Sequence, residues 1–172
     1  MSQQTQNIMK KISLAKVVLN MGIGKSGEPI EIGKKTLAQI SGKKPNTREA
    51  KKSLRDWGIR KGEPIGVSVT IRGNAATELL KKLLAAIDNQ IKKRSIDNEG
   101  NISFGIKEHI DIPGVKYDPK IGILGLDVSI SLIRPGFNIK FHKQKAKVGK
   151  NHRITKNDSI KFLTEEFGVK VV

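Results

Sequence analysis

Gly66-Val67-Ser68-Val69-Thr70-Ile71-Arg72 alternates apolar residues with small or polar ones without a break. A period of two is that of a β-strand with one buried face and one open face. Val67, Val69 and Ile71 point inward on this reading, and Gly66, Ser68, Thr70 and Arg72 point outward. Pro64 just ahead suits a strand start, where no ladder hydrogen bond is lost. Directly behind the strand, Asn74 is placed to cap a helix over 75–90. Ala76, Leu79, Leu80, Leu83 and Ile87 recur there at helical spacing, and Lys81 and Lys82 fall on the wet side.

The same grammar extends in both directions. Lys16-Val-Val-Leu-Asn-Met21 is a strand with Val17, Leu19 and Met21 on one face and Lys16, Val18 and Asn20 on the other. Pro29 to Ser41 reads as a helix, with Pro29 in its first turn, Gly42 past its end, and Ile30, Gly33, Leu37 and Ile40 as its inward stripe. Residues 46–53 fit a polar strand or a short helix; periodicity does not decide. Asn101 to Ile106 and Leu126 to Ile133 are strands, the latter with Leu126, Val128, Ile130 and Leu132 inward and Asp127, Ser129 and Ser131 outward. Between them, Lys107 to Leu124 carries Pro113, Gly114, Pro119 and Gly122, the marks of a hairpin-like excursion. Phe137 to Lys156 is a basic stretch of little periodicity, read as extended within the domain. Asp158 is placed to cap a last helix, Ser159 to Phe167, stopped by Gly168. The expected architecture is α+β: one domain over 1–172, an antiparallel sheet with helices packed on one face.

Composition narrows the function. Lysine and arginine total 33 against 16 aspartates and glutamates, a net charge of +17 in 172 residues. Cysteine is absent, which removes disulfides, thiolate metal sites and cysteine nucleophiles together. Met1 to Lys11 is rich in Gln and Asn and has no apolar leader. The basic stretches lack the aromatic, amphipathic helical form of a membrane-surface element, so no membrane partner is expected. His109, His142 and His152 have no metal-ligand spacing, so neither a metal nor a cofactor is expected. Glu108 and Asp111 beside His109 read as solvated charges, and no nucleophile-elbow pattern occurs, so no enzyme is expected.

Gly22-Ile-Gly24-Lys-Ser-Gly27 fits a dinucleotide fingerprint by letter. That fingerprint needs a following buried parallel strand, and Gly42-Lys-Lys-Pro-Asn-Thr-Arg48 stands in its place. It is no P-loop either, because Leu19 occupies the upstream glycine position. A tight turn whose backbone amides can meet phosphate fits better.

Nucleic acid therefore suits the charge best. Residues 43–61 hold eight basic residues against Glu49 and Asp56, and residues 128–157 hold eight and no acid. Solubility does not require single-sign runs of this length, and self-repulsion opposes folding. No basic recognition helix for DNA is evident, and aromatics are too few for a base-stacking sheet, so shape and phosphate readout of RNA is expected. The outward sheet residues Lys16, Asn20, Ser68, Thr70, Arg72, Ser129 and Ser131 are either an ordinary solvated face or a flat surface laid on an RNA backbone.

Lys16-Val-Val-Leu-Asn-Met-Gly-Ile-Gly24, Leu37-Ala-Gln-Ile-Ser-Gly-Lys-Lys-Pro45, Arg60-Lys-Gly-Glu-Pro-Ile-Gly-Val-Ser-Val-Thr-Ile-Arg-Gly73, Asn101-Ile-Ser-Phe-Gly-Ile-Lys-Glu108 and Gly125-Leu-Asp-Val-Ser-Ile130 closely resemble, in order, the universal ribosomal large-subunit protein five family. The resemblance covers residues 12–134. Phe137 to Val172 looks like the archaeal and eukaryotic form rather than the bacterial one, and the excess of Lys over Arg points toward an archaeon. The family implies a structural, cytoplasmic protein of the central protuberance. Its implied partners are 5S ribosomal RNA, large-subunit ribosomal RNA, P-site transfer RNA and a small-subunit ribosomal protein at an intersubunit bridge. A free-standing RNA-binding assembly factor or regulator would use the same surface.

Carried over by motif, Asn20, Lys43 and Thr70, with Arg72 beside them, would face 5S RNA. Relatives of the bacterial type often have glutamine in place of Lys43. Lys16, Lys25, Lys44, Arg48 and Lys51 complete the expected RNA-binding set. Leu54 to Lys61, with Arg55, Trp57, Arg60 and Lys61, matches the transfer-RNA-facing loop, and 107–124 the bridge region. Trp57 in such a loop is either a local anchor or a group left out for a partner.

Overall fold

A computed structural model describes residues 7–24, 26–115, 123–142 and 147–172. Five antiparallel strands form the main sheet: β1 (Ser13–Gly22), β2 (Asn46–Glu49), β3 (Pro64–Ile71), β5 (Ile102–Ile106) and β6 (Leu126–Ile133), in the order β2-β3-β1-β6-β5. Two short strands, β4 (Gln90–Ile91) and β7 (Lys170–Val171), pair with each other apart from it. The arrangement is the α+β class expected. The helices are α1 (Glu28–Ser41), α2 (Asn74–Ala85), α3 (Ile139–His142) and α4 (Lys156–Phe167).

Strand β1 lies at the centre, with Leu19 opposite Val69 on one side and Val128 on the other. The inward residues of β1, β3 and β6 are all buried, as are Ile102 and Ile106 of β5. Against them pack Ile30 and Leu37 of α1 and Leu79, Leu80, Leu83 and Leu84 of α2, with Leu163 of α4 in the same core. The alternation read from the sequence thus matches the burial. Gly33 lets α1 settle close: a Cβ there would lie 2.5 Å from the Ile23 side chain. Ile40 and Ile87 are only half-buried, and Leu84 is buried in addition to the expected stripe.

Several local expectations are corrected. Gly73, not Asn74, is the cap of α2, with φ +71° and no side-chain cap bond. The helix ends at Ala85 rather than 90. Asp88 and Asn89 both take positive φ, which only short polar residues and glycine adopt readily. They turn the chain so that β4 can pair in parallel with β7. Thr155 rather than Asp158 caps α4; its hydroxyl accepts from the Asp158 N–H, and the Asp158 carboxylate accepts from the Thr155 N–H. This is a capping box with aspartate in the third helical position. The undecided stretch 46–53 contains strand β2.

The basic stretch 137–156 is not extended throughout its described part. It holds α3 and a 3-10 turn at Lys150–His152, and it buries Phe137 and Ile154. Arg134 ties it down, donating to the carbonyls of His152 and Arg153 at 3.3 and 3.0 Å and to Asp158 Oδ2 at 3.0 Å. Within the excursion after β5, Glu108 and Asp111 are exposed, as expected, but His109 is buried. Its Nδ1 accepts the Leu124 N–H at 3.3 Å, which holds the two arms of the excursion together.

Candidate nucleic-acid interface

The open face of the sheet is built by strand register. Asn20 of β1 stands opposite Ser68 of β3 and Asp127 of β6. Val18 stands between Thr70 and Ser129, and Lys16 opposite Ser131. Ser103 of β5 is the cross-strand partner of Ser129. Apart from Lys16 and Arg48, the side chains on this face are short, so a backbone can approach closely. The face is concave. One shallow depression is lined by Asn20, Arg48, Ser68, Ser103, Asp127 and Ser129, and an adjoining one by Arg94, Ser95, Asn98, Asn101, Ser103 and Ser131. The turn Lys93–Ser95 forms the far wall.

Of the expected RNA-binding residues, the sheet brings together Lys16, Asn20, Arg48 and Thr70, with Arg72 exposed just beyond the end of β3. Lys43 and Lys44 are exposed in the turn before β2, and Lys51 is exposed after it, so they border the β2 edge rather than the floor. Lys25 lies outside the described residues. Ser68 differs from expectation: it is only 4% exposed, and its hydroxyl accepts a hydrogen bond from Arg48 Nε at 2.7 Å. Ser95, Ser103 and Arg94 belong to the concave face but were not singled out from the sequence. Ser103 was within reach, since Ile102 and Ile106 flank it at strand spacing. Arg94 was not, because its place depends on how a non-periodic turn packs.

The loop after β2 is a self-bonded hairpin. Ala50 N–H donates to Glu63 O, Gly62 N–H to Ala50 O, and Leu54 and Ile59 exchange two backbone bonds. A 3-10 turn at Arg55–Trp57 forms its tip. Arg55, Arg60 and Lys61 are exposed, and Trp57 is 74% exposed. The tryptophan is therefore not a local anchor. At the base, Glu63 accepts from the Ser26 hydroxyl at 2.6 Å and from the Arg60 N–H at 3.0 Å. Those two bonds hold its carboxyl below the usual carboxylate range. The Ser26 bond also ties the chain just ahead of α1 to the loop. In the glycine turn, the N–H groups of Ile23 and Gly24 both donate to Ile65 O, so these two amides are already used inside the protein.

A second basic area adjoins the sheet face at Asn98 and Asn101, where Lys147, Lys150 and Arg153 border a depression lined by Leu132, Phe137 and Ile154. Among the described residues no group of acidic or histidine side chains could hold a metal ion, and no helix is long and apolar enough to cross a membrane.

Comparison with known proteins identifies the family. Residues 7–60 match the family model described as ribosomal protein L5, and residues 64–162 match the model for the C-terminus of that ribosomal family. The junction falls between the hairpin tip and β3, so both matched stretches contribute strands to one sheet. The large ribosomal subunit protein uL5 of Nitrosopumilus maritimus is 62% identical over 172 residues, covering 99% of each chain. That of Cenarchaeum symbiosum is 58% identical over 95% of this chain and 98% of its own. That of Sulfolobus acidocaldarius is 45% identical over 97% and 94%. With both family models matched in order and relatives this similar along the whole length, the chain belongs to the ribosomal protein L5 family, structural rather than enzymatic, and is of the archaeal type.

Proposed function

We propose that this protein is a structural constituent of the large ribosomal subunit that binds 5S ribosomal RNA through the concave sheet face. The observation that carries the reading is the meeting of Asn20, Thr70 and Arg48 on one face of short, hydrogen-bonding side chains, in a chain of net charge +17. Backbone phosphate is drawn by the cations at the β2 edge, Lys43, Lys44 and Lys51, and by Lys16 and Arg72. The short amide and hydroxyl groups then fix register against riboses and phosphates. The hairpin carrying Arg55, Trp57, Arg60 and Lys61 is the part we assign to P-site transfer RNA. It is exposed, cationic and separate from the concave floor, which suits a contact made and broken repeatedly. The excursion 107–124 is assigned to a small-subunit protein at the subunit bridge; residues 116–122 of it lie outside the described residues. Association with large-subunit RNA is assigned to the remaining basic surface.

The test is 5S RNA affinity of Asn20→Ala and Thr70→Ala. Each removes a short exposed group and is expected to weaken binding by about 1–3 kcal/mol with an unchanged circular dichroism spectrum. Ser131→Ala, near the other end of the face, is expected to matter less. Unaltered affinity in both Asn20→Ala and Thr70→Ala would place the RNA on a different surface.

A further inference from the structure

We propose that Ser68 is a positioning residue: its buried hydroxyl holds the Arg48 guanidinium in the concave face so that the two terminal amino groups are left as a fork for one RNA phosphate. The inference rests on the reading that this face takes RNA. Arg48 and Ser68 come from different strands, 20 positions apart, and meet at 2.7 Å through Nε and Oγ. Gly66, the direct cross-strand partner of Arg48, makes the diagonal reach possible. It has no side chain to stand between Arg48 and Ser68, and a Cβ there would already sit 3.0 Å from Met21 O. The β2–β3 register shifts immediately after Arg48, between Arg48 and Glu49. A bulge at that point re-aims the strand's side chains.

The consequence is chemical. A guanidinium has five N–H donors, and the Nε donor is spent on Ser68. The two terminal amino groups have no hydrogen-bond partner among the described residues, and no carboxylate there forms an ion pair with them. An unrestrained arginine on a surface samples many rotamers and loses that freedom on binding. Arg48 has part of that cost already met by the protein. Two parallel donors from one rigid plane match two phosphate oxygens, a pairing that a lysine ammonium cannot reproduce. Ser68 at 4% exposure is too deep to serve as a principal RNA contact itself, so its effect on RNA must pass through Arg48.

The experiment is a double-mutant cycle on the full chain with 5S RNA, using Ser68→Ala, Arg48→Ala, the double variant and Arg48→Lys. Ser68→Ala is expected to weaken binding about threefold to tenfold, and Arg48→Ala about tenfold to thirtyfold. The double variant should bind no worse than Arg48→Ala alone, because the hydroxyl has nothing left to position. Arg48→Lys should fall between wild type and Arg48→Ala, because it keeps the charge but not the fork. Thermal melting of every variant accompanies the titrations. If Ser68→Ala also loosens the fold, its effect in the Arg48→Ala background still isolates the coupling. Wild-type affinity in Ser68→Ala, or an equal loss with and without Arg48, overturns the assignment. Asn20→Ala and Thr70→Ala separate the two levels. If they weaken binding while Ser68→Ala does not, only the positioning role fails; if none of the variants including Arg48→Ala matters, the RNA-binding face fails with it.

Discussion

Arg134→Ala is expected to release the basic C-terminal segment from the end of the sheet. Arg134 follows β6, is 9% exposed, and makes two hydrogen bonds to the segment it anchors and one to Asp158 in the first turn of α4. All three have a charged donor; the bond to Asp158, charged on both sides, contributes about 1.5–3 kcal/mol, and the two bonds to neutral carbonyls, which share one terminal nitrogen, about 0.5–1.5 kcal/mol each. Against them stands a cost already present: Arg134 Nε is buried with no hydrogen-bond partner, and the substitution removes it. The net loss should be roughly 2–4 kcal/mol, or about 6–12 °C in melting temperature for a chain of this size.

Acid sensitivity provides an independent sign. Burial raises the Asp158 pKa, but the Thr155 N–H and hydroxyl and the Arg134 guanidinium outweigh it and hold the carboxyl below its ordinary value. A group depressed in the folded state contributes stability that is present above the unfolded pKa and disappears as pH falls through the folded one. Wild type should therefore lose part of its stability below about pH 4, and Arg134→Ala should lose less over that range. Urea unfolding at neutral and acid pH measures both effects. Trypsin cleavage at Lys140, Lys147 and Lys150 should also become faster in the variant. A stability change under about 0.5 kcal/mol at neutral pH would refute the view that Arg134 anchors the segment.

Binding to 5S RNA should weaken steeply with salt. Neutralising about eight phosphates gives a slope of roughly −5 to −8 in log affinity against log salt, and a slope near zero would remove the basic surface from the interface. Replacing Arg55, Arg60 and Lys61 together by alanine should leave 5S binding and subunit incorporation nearly normal while speeding transfer RNA dissociation from the P site. A variant that fails to enter the large subunit would make the hairpin an anchor instead. Gly100→Ala should destabilise the fold by roughly 2–4 kcal/mol on thermal melting, because Gly100 has φ +83° and its new Cβ would lie 2.5 Å from Ile154 Cγ2 and 2.7 Å from Ser159 Oγ. A silent substitution would mean that the α4 end of the core yields more easily than this packing implies.

Strand identity and the facing of each strand were legible from residue order alone. In Val67, Val69 and Ile71, or Leu126, Val128, Ile130 and Leu132, the side chains of one strand are sorted by their own spacing, and no distant partner is needed to see it. Net charge and the absence of cysteine excluded whole classes of chemistry in the same local way. What the tertiary structure decided was every feature that depends on which distant residues meet. Helix α2 stops at Ala85 because the following residues turn to pair with a strand some 80 positions later, a contact no propensity encodes. Strand β2 is too short and polar to announce itself, and it exists through its ladder with β3. Ser68 reads as a solvated serine by alternation, and only the diagonal arrival of Arg48 from another strand turns it into a buried acceptor. Periodicity reports the environment of a side chain along one strand; the hydrogen-bond partner that defines its role comes from across the sheet, and chain separation hides it until the strands pair.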